Sequence, residues 1–414
     1  MQSFILMKIY KDIKKCRICG NSNLRLILDL NNQPTANQLT KSFNQKEITI
    51  PLKLIFCGKC KTTQLSSTVS SRYLFSKYVW VTGTSNVAKK YCEKFVQKTE
   101  KKFKKIKSVL EIASNDGTLL KQYKKRGFKI LGADPAKNIA KKANQEKIKT
   151  IPGFFDFNLS KKIQKNFGKP DLIVARNVIP HVEHIHSIVK GIKNIIQKNG
   201  VVAIEFHYLY EIIKGLQYDS IYHEHIYYFS LKSISNLFKK YGLFAFDYDK
   251  SPISGGSIVL YFSSKVKKKS SKLVKLENFE KNKKLNNFKT LNLFGRKCVN
   301  HRDSLSKLVN NLKGNLYGYG ASARSSTLLN FANIDYKNVK FIMDKNNLKN
   351  DFYTPGTKIK IVKFSKNKLP KNSNIIILAW NFKKEIINQF SKKMNYKFII
   401  PLPNKAKIYE NSKN

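Results

Sequence analysis

Three observations predict an α/β protein: a doubly wound parallel sheet, a metal-stapled segment before it and a second Rossmann-like unit after it. The middle of the chain alternates short apolar strands with lysine-rich amphipathic helices. Two Cys-x-x-Cys pairs precede this region. A further strand running into a glycine turn, Asn315-Leu-Tyr-Gly-Tyr-Gly-Ala321, follows it. Repeated strand–helix alternation implies parallel strands joined by helical crossovers. At 414 residues the chain is long for one core, so two or three domains are expected. The pattern divides it into residues 1–75, 76–250 and 251–414.

The first segment carries Cys16-Arg17-Ile18-Cys19-Gly20 and Cys57-Gly58-Lys59-Cys60. Each pair can form a tight turn with both sulfurs facing one point, and the glycines permit the bend. Together Cys16, Cys19, Cys57 and Cys60 supply the four thiolates of a closed tetrahedral zinc site. Such a site keeps no open position, so its expected role is structural. A redox dithiol is the alternative. Cys92 and Cys298 stand alone and read as ordinary buried thiols.

In the second segment Ser108–Ser114 reads as a buried strand, Asn115-Asp116-Gly117 as a turn and Thr118–Arg126 as a helix. Phe128–Ala133, Thr150–Phe155, Asp171–Ala175 and Val201–Phe206 read as further strands. In the third segment residues 264–312 are charged and helical. Ser322–Asn330 reads as a helix, and Lys340–Met343, Asn374–Ala379 and Lys397–Ile400 as strands.

Composition narrows the function classes. The chain has 79 Lys and Arg against 26 Asp and Glu, a net charge of +53. Such a charge favours anionic ligands. The lysines are scattered through every segment rather than gathered in a patch, so a basic nucleic-acid-binding protein is a minor alternative and no nucleic-acid partner is expected. No apolar run approaches the roughly 20 residues of a membrane span. The apolar patch Phe4–Met7 is too short for a signal-peptide core. A cytoplasmic protein without a membrane partner is expected.

Ligands of open α/β sheets bind at the carboxyl ends of the strands. There the sequence places Glu111, Asp116, Asp134, Phe155 and Asp156. Asp134 can accept from both ribose hydroxyls. Phe155 can stack on adenine while Asp156 accepts its amino group. A dinucleotide would want Gly-x-Gly-x-x-Gly for its pyrophosphate. Only Gly117 is present in the turn. A phosphate-free cofactor with an amino group fits, and S-adenosylmethionine is such a cofactor. The alternative is a general nucleotide fold with solvated strand-end acids.

Histidine is concentrated in the same segment: His181, His184 and His186 follow the fourth strand, His207 ends the fifth, and Tyr222-His223-Glu224-His225 comes next. Histidine is suited to moving protons near neutral pH. Tyr222 can donate to a developing oxyanion, and Glu224 can orient an imidazole. Satisfied core histidines and a His-x-His metal site are the competing readings.

The chain resembles the three-domain sugar-nucleotide C-methyltransferases along nearly its whole length. The resemblance is carried by the four cysteines, Gln33-Pro-Thr-Ala-Asn37, Leu74-Phe75-Ser-Lys-Tyr78-Val-Trp-Val-Thr-Gly-Thr84 and Asn115-Asp-Gly-Thr-Leu-Leu120. Asp134-Pro135, Asn177-Val-Ile-Pro-His181, Tyr222-His-Glu-His225, Gly255-Gly256-Ser257, Gly318-Tyr-Gly-Ala321, Tyr353-Thr-Pro-Gly356, Ala379-Trp-Asn381 and Pro401-Leu-Pro403 extend it. It implies a class I S-adenosylmethionine methyltransferase sheet between a zinc-binding domain and a C-terminal Rossmann-like domain. It further implies a nucleotide-linked keto-sugar bound between the last two domains and methylated on carbon through an enolate. Carried over, His225 is the base, Tyr222, Glu224 and His181 bind and polarise the sugar, and Tyr78 lines the pocket. Asn115, Gly117 and Asn177 fall to the cofactor, Asn381 and Arg324 to the substrate, with Arg324 pairing the diphosphate. The family's glycine before the Asn-Asp-Gly turn is replaced by Ala113, which reshapes the loop if that backbone needs positive φ. An O- or N-methyltransferase acting on a related sugar is the nearest alternative activity; it would need no base at a carbon acid.

Overall fold

The computed structural model describes residues 9–75, 83, 86–365, 369–391 and 394–410. Tyr78 and the patch Phe4–Met7 lie outside the described residues.

In chain order the N-terminal strands are β1 (Tyr10–Asp12), β2 (Leu24–Pro34), β3 (Thr49–Cys57), β4 (Thr63–Leu65) and β5 (Ser67–Val69). Then come β6 (Ser108–Ile112), β7 (Lys129–Asp134), β8 (Thr150–Pro152), β9 (Leu172–Arg176), β10 (Val201–His207), β11 (Tyr227–Tyr228), β12 (Phe244–Ser251) and β13 (Ser257–Ser263). The last set is β14 (Leu316–Tyr319), β15 (Val339–Asp344), β16 (Ile361–Lys363), β17 (Asn374–Ile377), β18 (Lys397–Ile400) and β19 (Lys407–Glu410).

The central sheet has seven strands in the order β12-β13-β10-β9-β6-β7-β8. β13 runs antiparallel between β10 and β12, while β6 to β10 are parallel. This is the class I methyltransferase arrangement. β10 reads Val-Val-Ala-Ile-Glu-Phe-His and is buried throughout, because helices cover both faces of a parallel sheet. One covering helix, Ile185–Ile195, turns Ile185, Ile188, Val189, Ile192 and Ile195 inward at helical spacing. Along β6, Val109 and Leu110 alternate between the cores on opposite faces. The sheet continues to Ser263, past the boundary expected after residue 250, because β13 hydrogen-bonds along β10.

The C-terminal sheet has the order β16-β15-β14-β17-β18-β19, with only β19 antiparallel. Counted from β14, this is the Rossmann order 3-2-1-4-5-6. Both sheets thus reverse direction beside their first strand, between β6 and β9 and between β14 and β17.

The N-terminal sheet, β11-β4-β3-β2, borrows β11 from the middle of the chain. β2 in turn packs on the long helix Phe288–Asn310. A Cβ on Gly295 would overlap the Ile27 carbonyl oxygen, so glycine sets this close approach. One continuous hydrophobic core therefore runs through all three segments.

Candidate active site and zinc centre

The two pairs of cysteines meet at one point. All four sulfurs lie within 4.8 Å of one another, with Cys16–Cys60 and Cys19–Cys57 each at 3.5 Å. None is in a disulfide. A tetrahedral zinc with bonds of about 2.3 Å places its sulfurs roughly 3.8 Å apart, so the four thiolates fit the ion. Gln64 Nε2 donates to Cys16 Sγ at 3.0 Å and Asn21 Nδ2 to Cys57 Sγ at 3.7 Å. These amides support the negative charge of the sulfurs.

Both switch points open into a single cleft of about 1940 Å³. From the central sheet come Ile112, Ala113, Asn115, Asp134, Phe155, Asp156 and Asn177. From the C-terminal sheet come Ser322, Arg324, Ala379, Trp380 and Asn381. The N-terminal segment adds Arg17 and Asn37.

The residues expected to hold the cofactor divide into two groups. Asn115, Asp134, Phe155, Asp156 and Asn177 reach the cleft; Glu111, Asp116 and Gly117 do not. Asp116 holds the loop instead, accepting from Thr118 N and Oγ1 through Oδ1 and from Gly83 N through Oδ2. Gly117 sits at φ 74°, where a Cβ would meet Ile148 Cγ2 at 2.6 Å. Glu111 lies behind the loop in a recess of about 50 Å³ beside Asn115, Thr118 and Arg176. Its Oε2 has no hydrogen-bond partner among the described residues, and burial raises its pKa to about 8. An unmatched buried carboxyl at the switch point suits a cofactor bearing an ammonium group. Asp134 accepts Asn115 N at Oδ2 and Ala136 N at Oδ1, which fixes it at the strand end with lone pairs remaining for ribose hydroxyls. Asp156 caps the helix Phe157–Phe167 by accepting Leu159 N. The expected adenine stacker Phe155 is 7% exposed, with its ring against Gly191. Its neighbour Phe154, which sequence reasoning passed over, lines the same cleft at 56% exposure. Ala113 adopts φ 53°, so the reshaping expected of alanine does not occur and the backbone keeps the conformation a glycine would take.

The other end of the cleft holds the histidines. His225 Nδ1 donates to the Ser220 carbonyl at 3.1 Å, because a carbonyl can only accept. That bond fixes the tautomer. Nε2 then carries the lone pair and accepts the Tyr222 hydroxyl at 3.0 Å. Burial, reinforced by His181 and His207, lowers the His225 pKa well below the usual value, so the ring is neutral at physiological pH and its Nε2 lone pair is unprotonated. The His181 ring meets it edge-on at 4.6 Å, and burial lowers His181 to about 4. Glu224 is raised to about 7 by burial and accepts Asn37 Nδ2 at 2.5 Å. His184 and His186 also line the cleft. His186 is engaged with the Arg17 carbonyl and the Tyr241 hydroxyl.

The segment 218–228 is held from three sides. Its strand β11 pairs with β4, and His223 Nε2 donates to the Ile50 carbonyl, both in the zinc-bearing segment. Ile226 N donates to Pro180 O of the central domain. Thr327 Oγ1 of the C-terminal domain donates to Ile221 O. Arg324 differs from expectation. Its Nε and Nη2 form a two-pronged pair with Asp219 at 2.9 and 2.7 Å, Nη2 also reaches Gln217 Oε1, and Nη1 reaches the Ser254 carbonyl. Four donors of the guanidinium are thus engaged within the protein rather than aimed at a diphosphate. Asn37, His207, Asp219 and Ser220 were assigned no role from sequence. Asn37 and Asp219 lie within or beside quoted motifs, but their partners are 187 and 105 residues away.

The sheet order, the switch-point carboxylates and the four-thiolate centre define an S-adenosylmethionine-dependent methyltransferase with a structural zinc. Segment by segment the chain is similar to the three-domain C-methyltransferases. Family models match in succession: a zinc binding domain at 16–75, a methyltransferase domain at 85–245 and the C-methyltransferase C-terminal domain at 252–403. The chain is 26% identical over 409 residues to the C-methyltransferase NovU of Streptomyces niveus, covering 96% of this chain and 97% of that one. Among solved structures, the PH0226 protein of Pyrococcus horikoshii is 16% identical, with a TM-score of 0.38, covering 47% of this chain and 100% of its own. A TehB-like S-adenosylmethionine-dependent methyltransferase of Corynebacterium glutamicum is 16% identical, with a TM-score of 0.33, over 42% of this chain and 88% of its own.

Proposed function

We propose that this protein is a cytoplasmic enzyme that methylates a carbon beside the ketone of a nucleotide-linked keto-deoxysugar. One observation carries the reading: the Ser220 carbonyl engages His225 Nδ1 at 3.1 Å, which leaves Nε2 facing the Tyr222 hydroxyl at 3.0 Å. A carbon nucleophile needs an acidic C–H beside a carbonyl, a base, and donors for the oxyanion. In this reading Nε2 removes the proton. The Tyr222 hydroxyl turns from Nε2 to the ketone oxygen and donates to it as charge develops there. Glu224 and neutral His181 bind the sugar, and Glu224 near its midpoint can hold or release a proton at neutral pH. When bound, S-adenosylmethionine supplies the electrophilic methyl group that such a carbon accepts. Asn115, Asp134 and Asn177 would hold it, with Glu111 behind them. The C-terminal switch point, with Ser322 and Asn381, faces the same cleft and offers the nucleotide a place; Arg324 there serves Asp219.

Solvent-deuterium exchange into a panel of keto-sugar nucleotides, with and without S-adenosylmethionine, tests the proposal. The expected result is exchange at one carbon and a gain of one methyl at that carbon. A methyl gained on oxygen or nitrogen without exchange would replace the proposal with O- or N-methylation.

A further inference from the structure

The strongest unexplained arrangement is the buried carboxylate of Asp219, 1% exposed, in the one-turn helix Tyr218–Ser220. Asp219 belongs to the central domain by sequence, yet its partners come from the C-terminal domain. Oδ1 accepts Arg324 Nη2; Oδ2 accepts Arg324 Nε and, at 2.8 Å, the Trp380 indole N–H. The guanidinium also lies over the Trp380 ring, 4.8 Å from its centroid. Arg324 and Trp380 stand on the two limbs of the C-terminal switch point, just past β14 and β17. The residues flanking Asp219 are fixed from the same side. The Tyr218 hydroxyl bonds His301 Nδ1 on the helix Phe288–Asn310, and His301 Nε2 donates to the Pro401 carbonyl. Ser220, immediately after Asp219, supplies the carbonyl that holds the His225 Nδ1 proton.

We infer that Asp219 is a positioning residue: clamped by Arg324 and Trp380, it locks the Ser220 carbonyl in place, so that the C-terminal domain sets the tautomer and orientation of His225. A two-pronged guanidinium–carboxylate pair fixes distance and plane together. Leaving either partner unmatched at a buried position is costly. The clamp acts over one peptide unit, since Asp219 and Ser220 are adjacent in a single tight turn. It explains why the base sits in a central-domain segment whose support lies elsewhere. The inference rests on the reading of His225 as the base, but its geometric content does not depend on the substrate. The groups facing His225 are His181 after β9, His207 at the end of β10, Tyr222 on its own segment, Tyr228 on β11, and Arg324 from the C-terminal domain.

The test is nitrogen-15 NMR of imidazole-labelled full-length protein, with the His225 signals assigned by their loss in His225→Gln, alongside pH–rate profiles. Wild type should show a single neutral Nδ1–H tautomer for His225 between pH 6 and 8. In Asp219→Asn, one amide oxygen cannot take all three donors. His225 should then show mixed tautomers and protonate nearer its ordinary pKa of about 6.5. The turnover number should fall about 100-fold, as for a misplaced catalytic group, and an acid limb should appear in its pH profile, with KM changed less than threefold. Trp380→Phe, which removes a single bond to Oδ2, should move the same signals less far and keeps the inference testable if Asp219→Asn does not fold. Asp219→Glu should recover part of the wild-type tautomer ratio. The inference is overturned if either folded variant loses thermal stability while the His225 tautomer and pH profile stay as in wild type. Failure of every keto-sugar to exchange deuterium would sink the proposed substrate and leave the NMR result standing.

Discussion

Single side chains here do work that their neighbours in sequence do not reveal. Ala113 occupies φ 53° at the turn after β6, a region that costs a non-glycine residue roughly 1–2 kcal/mol. Ala113→Gly relieves that strain but frees the unfolded chain by roughly 0.5–1 kcal/mol. A net gain of up to about 1.5 kcal/mol is expected in urea unfolding; a loss would mean the loop is not strained. His225→Ala removes the Nε2 lone pair without touching Asn115, Asp134 or Asn177. Turnover should fall by roughly 100- to 10,000-fold, the usual worth of a positioned base, while calorimetry shows S-adenosylmethionine affinity within a few-fold of wild type. Equal loss of cofactor binding would refute the role. The histidines of the cleft were visible in the sequence as a local excess of a rare residue. Their protonation states were not, because these depend on burial and on the Ser220 carbonyl.

Elements were easier to read than their neighbours. The strands β6 to β10 and β14, β15, β17 and β18 announced themselves as short apolar runs between lysine-rich helices, whereas β12, β16 and β19 did not. β13 did not, since nothing in Ser257–Ser263 says that it inserts antiparallel beside β10 rather than opening the next domain. β11, two residues long, carries no periodicity at all; only its ladder to β4 makes it a strand. The helix Phe288–Asn310 was readable as a helix, but not its seat on β2. Gly295 permits that seat by letting the helix backbone reach the Ile27 carbonyl. Gly295→Ala should therefore destabilise the protein by about 1–3 kcal/mol, as overpacking does, although alanine favours helix. Denaturant unfolding decides; a stabilised variant would show that the helix can shift aside.

Taken whole, the largest core runs through all three segments, and the loop around His225 is held by each of them. The zinc sulfurs do not line the cleft, but β4, two residues beyond Lys61, supports β11 and the loop. Cys16→Ser should lose about one equivalent of zinc by atomic absorption and lose methyl transfer with it. Activity surviving in a metal-free, folded protein would contradict that coupling. Buried titratable groups set the pH range of stability. His181 and His223 are depressed to about 4 and His207 to about 3, by burial first. The unfolded chain takes up protons below about 6.5 while the folded one resists. Their contribution is complete above 6.5 and lost as pH falls toward 4. Glu111 and Glu224, raised to about 8 and 7, act oppositely: their contribution is complete below about 4.5 and lost as pH rises through 7 to 8. Melting temperatures should fall on both sides of a maximum. His223→Gln, which can still donate to the Ile50 carbonyl, should flatten the acid side, and Glu224→Gln the alkaline side. Unchanged slopes would remove these groups as the cause.

Sequence alone determined the α/β class, the four zinc cysteines and the methyltransferase reading. Each of these is local: a period, a spacing, or a residue type at a strand end. Tertiary structure decided what long-range contact must decide. It turned Arg324 toward Asp219, placed Phe154 rather than Phe155 at the open face of the cleft, and drew Asp116 and Gly117 into shaping the loop. It gathered the loop around His225 from three parts of the chain. No local pattern encodes an ion pair across 105 residues, because its energy exists only once both partners have left water together.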